Sequence, residues 1–271
     1  MTIAISLDME LQGTILFSFL VGETNRVLLN SFFQTTNSFT AYSIEHWVLL
    51  ISFFLFVVVF IRSVRKKPEE RQRKILLGVA IILTIAQLAK IPLNLYTGIF
   101  EVTRDVPLHM CNFLPFIMIW VYAAKSRVVW ATTFFWVILG VSQANFTPTV
   151  ENSLFYYDAI RYWLVHLFPI LLALYPAIVW KWTLELKDVV RTVIALNGVA
   201  IIIYFINLAL GSNYLYIMEK PPGTTFFSIL PPWPTYILVL EAIIVLWSLM
   251  LWGVFWVIKR GKVSSVAELR N

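Results

Sequence analysis

Charged residues are scarce in this sequence of 271 residues, since Asp, Glu, Lys and Arg together make up 13% of it. A soluble globular domain carries about 25% charged residues, and about 45–50% of its residues are apolar. Here 59% of the residues are hydrophobic, so a soluble fold would expose large apolar patches to water. In a bilayer the outer surface of a protein can be as apolar as its core. The composition therefore predicts an integral membrane protein.

Cysteine is almost absent. Cys111 is the single cysteine, which excludes a disulfide within the chain and any Cys-rich zinc or iron–sulfur site. His46, His109 and His166 lie on three different predicted helices, so the signal for a metal site is weak. The sequence therefore predicts no metal and no cofactor.

Seven apolar segments qualify as transmembrane helices, which need roughly 20 mostly apolar residues. They are Ile44–Ile61, Ile75–Pro92, Leu108–Ala124, Val128–Asn145, Tyr162–Trp180, Val189–Leu210 and Tyr236–Ile258. Short loops join them, except for the last connection, Gly211–Thr235, which contains five prolines. The predicted fold class is all-α: a polytopic membrane protein with a seven-helix transmembrane domain over residues 44–258.

The basic residues predict the orientation, because cytoplasmic loops carry an excess of Lys and Arg. Of the 21 basic residues, 16 fall in the first, third and fifth loops and in the C-terminal tail, and four fall in the alternate segments. This places the N-terminus outside the cytoplasm and the C-terminus inside. The basic charge then faces lipid headgroups, so membrane lipids are the expected partners and nucleic acid is not. The sequence predicts no particular oligomeric state.

The two ends of the chain lie outside the seven-helix domain. Residues 1–43 are predicted to form an extracytoplasmic segment. Its apolar run, Leu11–Val21, is too short to span a bilayer and follows acidic residues rather than a basic signal-peptide region. We therefore predict an interfacial helix there, and a cytoplasmic tail over residues 259–271.

Polar side chains within the predicted spans gather in the outer half of the membrane, where such groups mark function or helix packing. This predicts a polar pocket that opens to the outer side. The alternative is that helix ends are simply more polar and that Asn and Gln hold helices together. The candidate ligand-binding residues are Gln87, Lys90, Asn112, Gln143, Asn207, Asn213, Tyr214 and Glu241.

Lys90 and Glu241 are the two charged candidates. Each would be costly alone in the bilayer, so they are predicted to pair with each other, or else with a hydrogen-bonding Asn or Gln. Lys90 has a third option, because its long side chain can extend to the outer interface.

Cys111 is the candidate nucleophile. Asp105-Val106-Pro107 predicts a helix start with a capping carboxylate, which places the thiol near the first turn, where the helix dipole favours thiolate. The alternative is that this cysteine is a small apolar filler. His109 lies two residues away, on nearly the opposite face of a helix, so a base for the thiol would come from His166 or His46. His109 would instead share a face with Asn112.

Three stretches resemble the YwaF-like family of bacterial integral membrane proteins, and the likeness runs from helix two to helix seven. Val106–Asn112 resembles the family pattern L-P-L-H-L-C, and Ser142–Pro148 resembles Q-A-L-L-T-P. In the last connection the family pattern N-x3-G-x-N-Y-x-Y/F, K-P and G-P-W-P is matched from Asn207 to Tyr236, with Pro231 where Gly is usual and Ile229 near a usual Asp. The resemblance implies a multi-pass protein of the bacterial cytoplasmic membrane.

The chain is also distantly similar to eukaryotic transmembrane protein 164, an acyltransferase that moves fatty acyl groups between phospholipids through a cysteine thiol. In that relative the cysteine immediately precedes the histidine, a position held here by Leu108. Cys111 lies one helical turn further on and would share a face with Leu108.

Two functions follow as hypotheses. The first is an enzyme of lipid acyl transfer with Cys111 as nucleophile, His166 as base, His109 beside them, and Asn112 or Gln143 as oxyanion donor. The second is a non-enzymatic transporter, sensor or ligand-binding protein that uses Lys90, Glu241 and their polar neighbours.

Overall fold

The computed structural model describes residues 38–150, 152–154, 156–222 and 226–268, with side chains described as far as Arg260. The predicted interfacial helix at Leu11–Val21 lies outside these residues. The regular secondary structure of the described residues is helical, apart from one isolated bridge between Ser38 and Asn152. Its seven α-helices are α1 Ile44–Val64, α2 Glu69–Thr97, α3 Met110–Ala123, α4 Arg127–Leu139, α5 Tyr157–Ile178, α6 Leu186–Leu210 and α7 Thr235–Glu268. A 3₁₀ turn, Val141–Asn145, extends α4, and two more, Tyr214–Tyr216 and Phe226–Ile229, lie between α6 and α7.

Six of these helices are long and apolar enough to cross a membrane, counting α4 with its 3₁₀ extension as one. The exception is α3, which has 14 residues and so measures roughly 21 Å, against roughly 30 Å for the hydrocarbon core of a bilayer. The all-helical prediction is confirmed, and so is the number of helices. The third predicted span, Leu108–Ala124, is shorter in the structure.

One end of the bundle collects all three histidines, and we call it the histidine end. Nε2 of His46, near the start of α1, donates to the carbonyl oxygen of Asn145 beyond α4 at 2.9 Å. Asn145 in turn donates to the carbonyl oxygen of His166 in α5 at 3.2 Å. His109 caps the start of α3. The odd-numbered helices therefore begin at this end.

The opposite end carries the basic loops, and we call it the basic end. Arg73, near the start of α2, donates to the carbonyl oxygens of Tyr122 and Ala123 at the end of α3. Arg127, which begins α4, pairs with the buried Asp188 in the first turn of α6 at 2.6 Å. These contacts confirm that successive helices alternate in direction.

The core of the bundle lies around α5. In α5, 67% of an apolar stretch of 18 residues is buried, and in α4 with its extension 50% of such a stretch is buried. The buried share of the corresponding stretch is 11% in α1 and in α6, and 6% in α7. Helix α5 contacts α1, α2, α3 and α4, while α6 packs on α4 and α7. The peripheral helices α1, α6 and α7 therefore present most of their apolar surface to the surroundings, as a bilayer permits.

Two helices extend past their predicted limits. Helix α2 continues through Pro92 to Thr97 and ends at Gly98, whose φ of 72° is the left-handed conformation that glycine readily adopts. An internal proline removes one backbone hydrogen bond, a loss that transmembrane helices tolerate, so the predicted stop at Pro92 was wrong. Helix α7 continues beyond Ile258 to Glu268, through much of the predicted tail.

Neighbouring side chains satisfy the carbonyl groups near the second proline of α5. Pro176 has no N–H to donate to the carbonyl of Leu172, and the hydroxyl of Tyr122 in α3 donates to that oxygen instead. The indole of Trp130 in α4 donates to the next carbonyl, that of Ala173, at 2.9 Å. The proline thus creates the acceptor that ties α3 to the central helix.

The connection between α2 and α3 folds back into the bundle. Lys90 lies seven residues before the end of α2, roughly 10 Å below it at 1.5 Å per residue, and Asp105 of the connection contacts Lys90. Asp105 itself is buried, whereas residues 101–104 before it are exposed. We call residues 98–109 the re-entrant connection, because it turns back at Asp105 to contact α2 before α3 begins at Met110.

Candidate functional site at the histidine end

A buried ion pair joins α2 to the re-entrant connection. Nζ of Lys90 is 2.7 Å from Oδ1 of Asp105, and the two side chains are 12% and 0% exposed. Lys90 therefore neither pairs with Glu241 nor extends to the interface. Asp105 was predicted to cap the next helix, but α3 begins at Met110 with His109 as its N-cap residue.

The second oxygen of Asp105 is also satisfied. Oδ2 accepts from Asn94 at 3.0 Å and from the backbone N–H of Glu101 at 2.9 Å, and Arg104 reaches Oδ1 from the surface. Burial alone would raise the pKa of Asp105. The Lys90 ammonium and the two hydrogen bonds outweigh burial and hold the pKa of this carboxyl below its usual range.

Glu241 lies elsewhere. Its Oε1 accepts from Nδ2 of Asn197, in the middle of α6, at 2.8 Å, on an exposed face of the bundle. The predicted pairing of Lys90 with Glu241 was wrong, and the hydrogen-bonded Asn that was its alternative is present. The sequence could not distinguish them, because the partner of Lys90 comes from an irregular loop.

Arg161 is a charged member of the site that the candidate residues omitted. It lies in the second turn of α5, is 12% exposed, and makes contacts of 3.4 and 3.5 Å with Oδ1 of Asp158. Its Nη1 donates to Oε1 of Gln87 in α2 at 3.1 Å. The sequence did contain a signal for this residue, because Arg161 is a charged residue directly before Tyr162, the predicted start of the fifth span.

Cys111 is the second residue of α3 and is half-buried. Its thiol lies 3.5 Å from Oδ1 of Asn112. Arg161 and Lys90 are close enough to act on the thiol electrostatically, and the thiol acts on the phenol of Tyr162. The predicted first-turn position is confirmed. Leu108 precedes α3, so the predicted helical face shared by Leu108 and Cys111 does not form.

One ring nitrogen of His166 has no hydrogen-bond partner among the residues that the structure describes. Its Nδ1 is 2.7 Å from the carbonyl oxygen of Tyr162, and because a carbonyl only accepts, Nδ1 carries the proton and Nε2 the lone pair of the neutral ring. The Tyr162 ring lies 4.1 Å from the His166 ring, centroid to centroid. Tyr162 therefore connects the neighbourhoods of His166 and Cys111.

His46 is held by both of its ring nitrogens. Nδ1 accepts from the backbone N–H of Tyr42 at 3.0 Å, and Nε2 donates to the carbonyl of Asn145. The ring is 1% exposed. His46 thus joins α1 to the end of α4, which leaves His166 as the base candidate from another helix.

His109 faces the connection between α6 and α7. Its Nδ1 accepts from the backbone N–H of Leu215 at 3.3 Å, and its ring lies 5.2 Å from that of Tyr214 and 4.9 Å from that of Tyr216. Leu215 and Tyr216 have φ of 60° and 53°, a left-handed conformation that is unfavourable for bulky side chains. The predicted pairing of His109 with Asn112 is replaced by this contact.

Three of the ligand candidates instead organise the connection itself. The buried Asn207 accepts from Ser212 and from the backbone N–H of Tyr214, and donates to the Tyr214 carbonyl. The Tyr214 hydroxyl donates to the carbonyl of Val102 at 2.6 Å. Asn213 bonds within its own turn, to the backbone of Met218 and Glu219. These residues hold the connection against residues 98–109.

The structure therefore divides the predicted site. Gln143 is exposed, and within the described residues its side chain has no hydrogen-bond partner. Direct contacts within pairs, and electrostatic interactions of the thiol between pairs, link a group of residues from α2, α3 and α5 and from the connection before α3: Gln87, Lys90, Asp105, Cys111, Asn112, Arg161, Tyr162 and His166. Among the residues that the structure describes, no three of His, Cys, Asp and Glu are grouped as metal ligands would be.

The fold and this neighbourhood define the class: a polytopic α-helical membrane protein with a buried polar site at one end of its bundle. The model of the TMEM164 family matches residues 41–252, from just before α1 into α7. The chain belongs to the TMEM164 family. The match confirms the family likeness to transmembrane protein 164 and does not extend to the bacterial YwaF-like family. No curated protein and no solved structure matches the chain significantly.

Proposed function

We propose that this protein transfers acyl groups between membrane lipids through a thioester on Cys111. The position of the thiol carries the proposal: Cys111 lies in the first turn of α3, directly after the re-entrant connection, where Arg161 and Lys90 act on it electrostatically. The similarity to transmembrane protein 164, a thiol-dependent acyltransferase, supports acyl transfer, with the thiol at Cys111 rather than at the relative's position, which Leu108 holds here.

The reaction requires a base, because burial among apolar helices disfavours a free thiolate. Nε2 of His166 takes the thiol proton as Sγ of Cys111 attacks the ester carbonyl of a lipid. The ester C–O bond then breaks, and the leaving alkoxide recovers that proton from His166. A hydroxyl group of a second lipid attacks the thioester in the reverse sequence, which transfers the acyl group and restores the thiol.

The side-chain amide of Asn112 is the proposed donor to the developing oxyanion. Asn112 is 9% exposed, and its oxygen faces the thiol, so its NH₂ group is available beside the reacting sulfur. The exposed Gln143 is a poorer candidate. His109 serves as a positioning residue that fixes the start of α3 to the α6–α7 connection.

We also propose the setting in which this reaction occurs. The loop charges support a histidine end that faces away from the cytoplasm, and the YwaF-like motifs support a bacterial cytoplasmic membrane. Membrane lipids are then both substrates and partners.

The alternative of a non-enzymatic carrier, sensor or ligand-binding protein is less well supported. Its two charged residues, Lys90 and Glu241, have separate partners, Asp105 and Asn197. A ligand site built on both of them would require these contacts to be exchanged.

The test is detection of the thioester. Purified protein is incubated with phospholipid that carries an isotopically labelled acyl chain, and intact-protein mass spectrometry is expected to show one hydroxylamine-labile acyl adduct. The adduct should be absent in Cys111→Ser and strongly reduced in His166→Gln. The matched control is Gln143→Asn, which should acylate as the natural protein does. Absence of any adduct on folded natural protein would overturn the proposal.

A further inference from the structure

Gln87 has a buried donor with no partner. The residue is 1% exposed, and its Nε2 makes no hydrogen bond within the described part of the chain. A guanidinium only donates, so Arg161 must face the amide oxygen, which leaves the NH₂ group unpaired. A buried polar group without a partner costs about 1–3 kcal/mol, and such a group is expected to meet an acceptor from a ligand.

The neighbours of Gln87 offer further donors. Lys90 lies one turn along the same face of α2, and one of the three N–H groups of its ammonium is engaged by Asp105. The contacts of Arg161 with Gln87 and Asp158 use three of its five N–H groups. The Asp158 contacts are long and the Asp158 side chain is 36% exposed, so this pair neutralises Arg161 weakly.

We infer that Gln87, Arg161 and Lys90 form a binding site for the phosphate group of a ligand. A phosphate presents several acceptor oxygens and negative charge, which suits an amide NH₂ group, a guanidinium and an ammonium that converge from two helices. The inference rests on the proposed function, because it assigns the headgroup subsite of the lipid whose ester Cys111 attacks.

The depth of the site agrees with a lipid phosphate. Helix α2 has 29 residues and is roughly 44 Å long, so it extends beyond a hydrocarbon core of roughly 30 Å. Gln87 and Lys90 lie ten and seven residues before the outer end of α2 at Thr97, roughly 15 and 10 Å from it. Arg161 and Lys90 also act electrostatically on Cys111, which agrees with a phosphate site at the same end of the bundle as the thiol.

The experiment measures binding in a Cys111→Ser background, which cannot form the thioester. The unfolding temperature of the detergent-purified protein is followed against three probes: dihexanoyl phosphatidylcholine, dihexanoylglycerol, which lacks the phosphate, and sodium phosphate. The phospholipid is expected to raise the unfolding temperature saturably, and dihexanoylglycerol is not. If sodium phosphate also raises the unfolding temperature, and this rise depends on Gln87, free phosphate is a ligand. If sodium phosphate causes no such rise, the phosphate that binds is that of the lipid headgroup.

Two variants test the role of Gln87. Gln87→Met removes the free donor and is expected to weaken apparent phospholipid affinity about ten-fold or more, as for a hydrogen bond to a charged group. Gln87→Glu keeps an acceptor for Arg161 and so protects the fold, but it replaces the donor with a negative charge and should weaken binding further. The matched control, Gln143→Met, should bind as the background does.

Equal stabilisation by dihexanoylglycerol and phospholipid, or unchanged affinity in Gln87→Glu, would overturn the inference. These outcomes are independent of the acylation test. Loss of Gln87-dependent binding while the thioester still forms contradicts the phosphate site alone. Absence of the thioester while that binding persists contradicts acyl transfer alone.

Discussion

Lys90 and Asp105 form a buried ion pair, and such a pair is more sensitive to loss of one partner than to loss of both. Both side chains are largely removed from solvent, and Asp105 also receives hydrogen bonds from Asn94 and Glu101. The pair ties the re-entrant connection to α2, five residues before α3 begins.

Replacing Asp105 with Asn is expected to lower the free energy of unfolding by about 3–5 kcal/mol, because the Lys90 ammonium stays buried without a counter-charge. Denaturant unfolding in micelles measures this loss. Glu101→Gln is the control, since Glu101 is exposed and pairs with Arg104 at 3.7 Å, and it should change stability by less than about 0.5 kcal/mol. Equal effects of the two substitutions would contradict the assignment.

The lowered pKa of Asp105 also predicts a pH dependence. A carboxyl whose folded-state pKa lies below its unfolded value of about 3.9 contributes stability that is fully present above that value and is lost as the pH falls through the folded pKa. Thermal unfolding followed from neutral to acidic pH should therefore show a decline below about pH 4. The decline should be smaller in Asp105→Asn, and an identical decline would contradict the prediction.

Among the helices, α5 is the central element, and its prolines contribute to its packing. The Leu172 carbonyl that Pro176 leaves free accepts from Tyr122, and the Trp130 indole bonds to the neighbouring carbonyl of Ala173. The helix therefore bonds to α3 and α4 through backbone groups, in a medium where water cannot replace them.

Tyr122→Phe should lower the free energy of unfolding by about 1–3 kcal/mol, because the Leu172 carbonyl loses its donor. In a Pro176→Ala background the cost should be smaller, since residue 176 then supplies the N–H. A double-mutant cycle in thermal or denaturant unfolding measures the difference. Tyr204→Phe, on the peripheral helix α6, is the control. An equal cost of Tyr122→Phe in both backgrounds would argue against this role of the proline.

Asn207 is the residue that holds the start of the α6–α7 connection in place. Its three side-chain bonds, one with the Ser212 hydroxyl and two with the Tyr214 backbone, hold that segment against the end of α6. Asn207→Leu should accelerate amide hydrogen exchange at Ser212–Leu215 about ten-fold or more, because each lost bond contributes roughly 1 kcal/mol. Asn197→Leu, ten residues earlier in α6, should leave amide exchange at Ser212–Leu215 unchanged. Unaltered exchange in Asn207→Leu would contradict the role.

At the scale of the whole molecule, the unequal loop charges predict which end faces the cytoplasm. The single native cysteine makes this easy to test, because Cys111→Ser provides a background without other thiols. Thr103→Cys, exposed at the histidine end, should react with an impermeant maleimide in intact cells. Lys66→Cys, exposed at the basic end, should react only after permeabilisation. The reverse pattern would invert the proposed orientation.

The sequence by itself determined the membrane class, the seven helices and the alternation of polar and basic ends. These properties depend on the length and hydropathy of each segment and on the Lys and Arg content of each loop, which can be read locally because a bilayer forces every spanning backbone to satisfy its own hydrogen bonds. The position of Cys111 in a first helical turn is local in the same sense.

Only the tertiary structure decided which polar groups meet. Lys90 pairs with Asp105 rather than with Glu241, His46 is held by both ring nitrogens while His166 retains a lone pair, and Gln87 is left with an unpaired donor beside Arg161. Helical periodicity gives no information about these pairings. They depend on an irregular connection that folds back into the bundle, and on the way in which helices distant in sequence pack around α5.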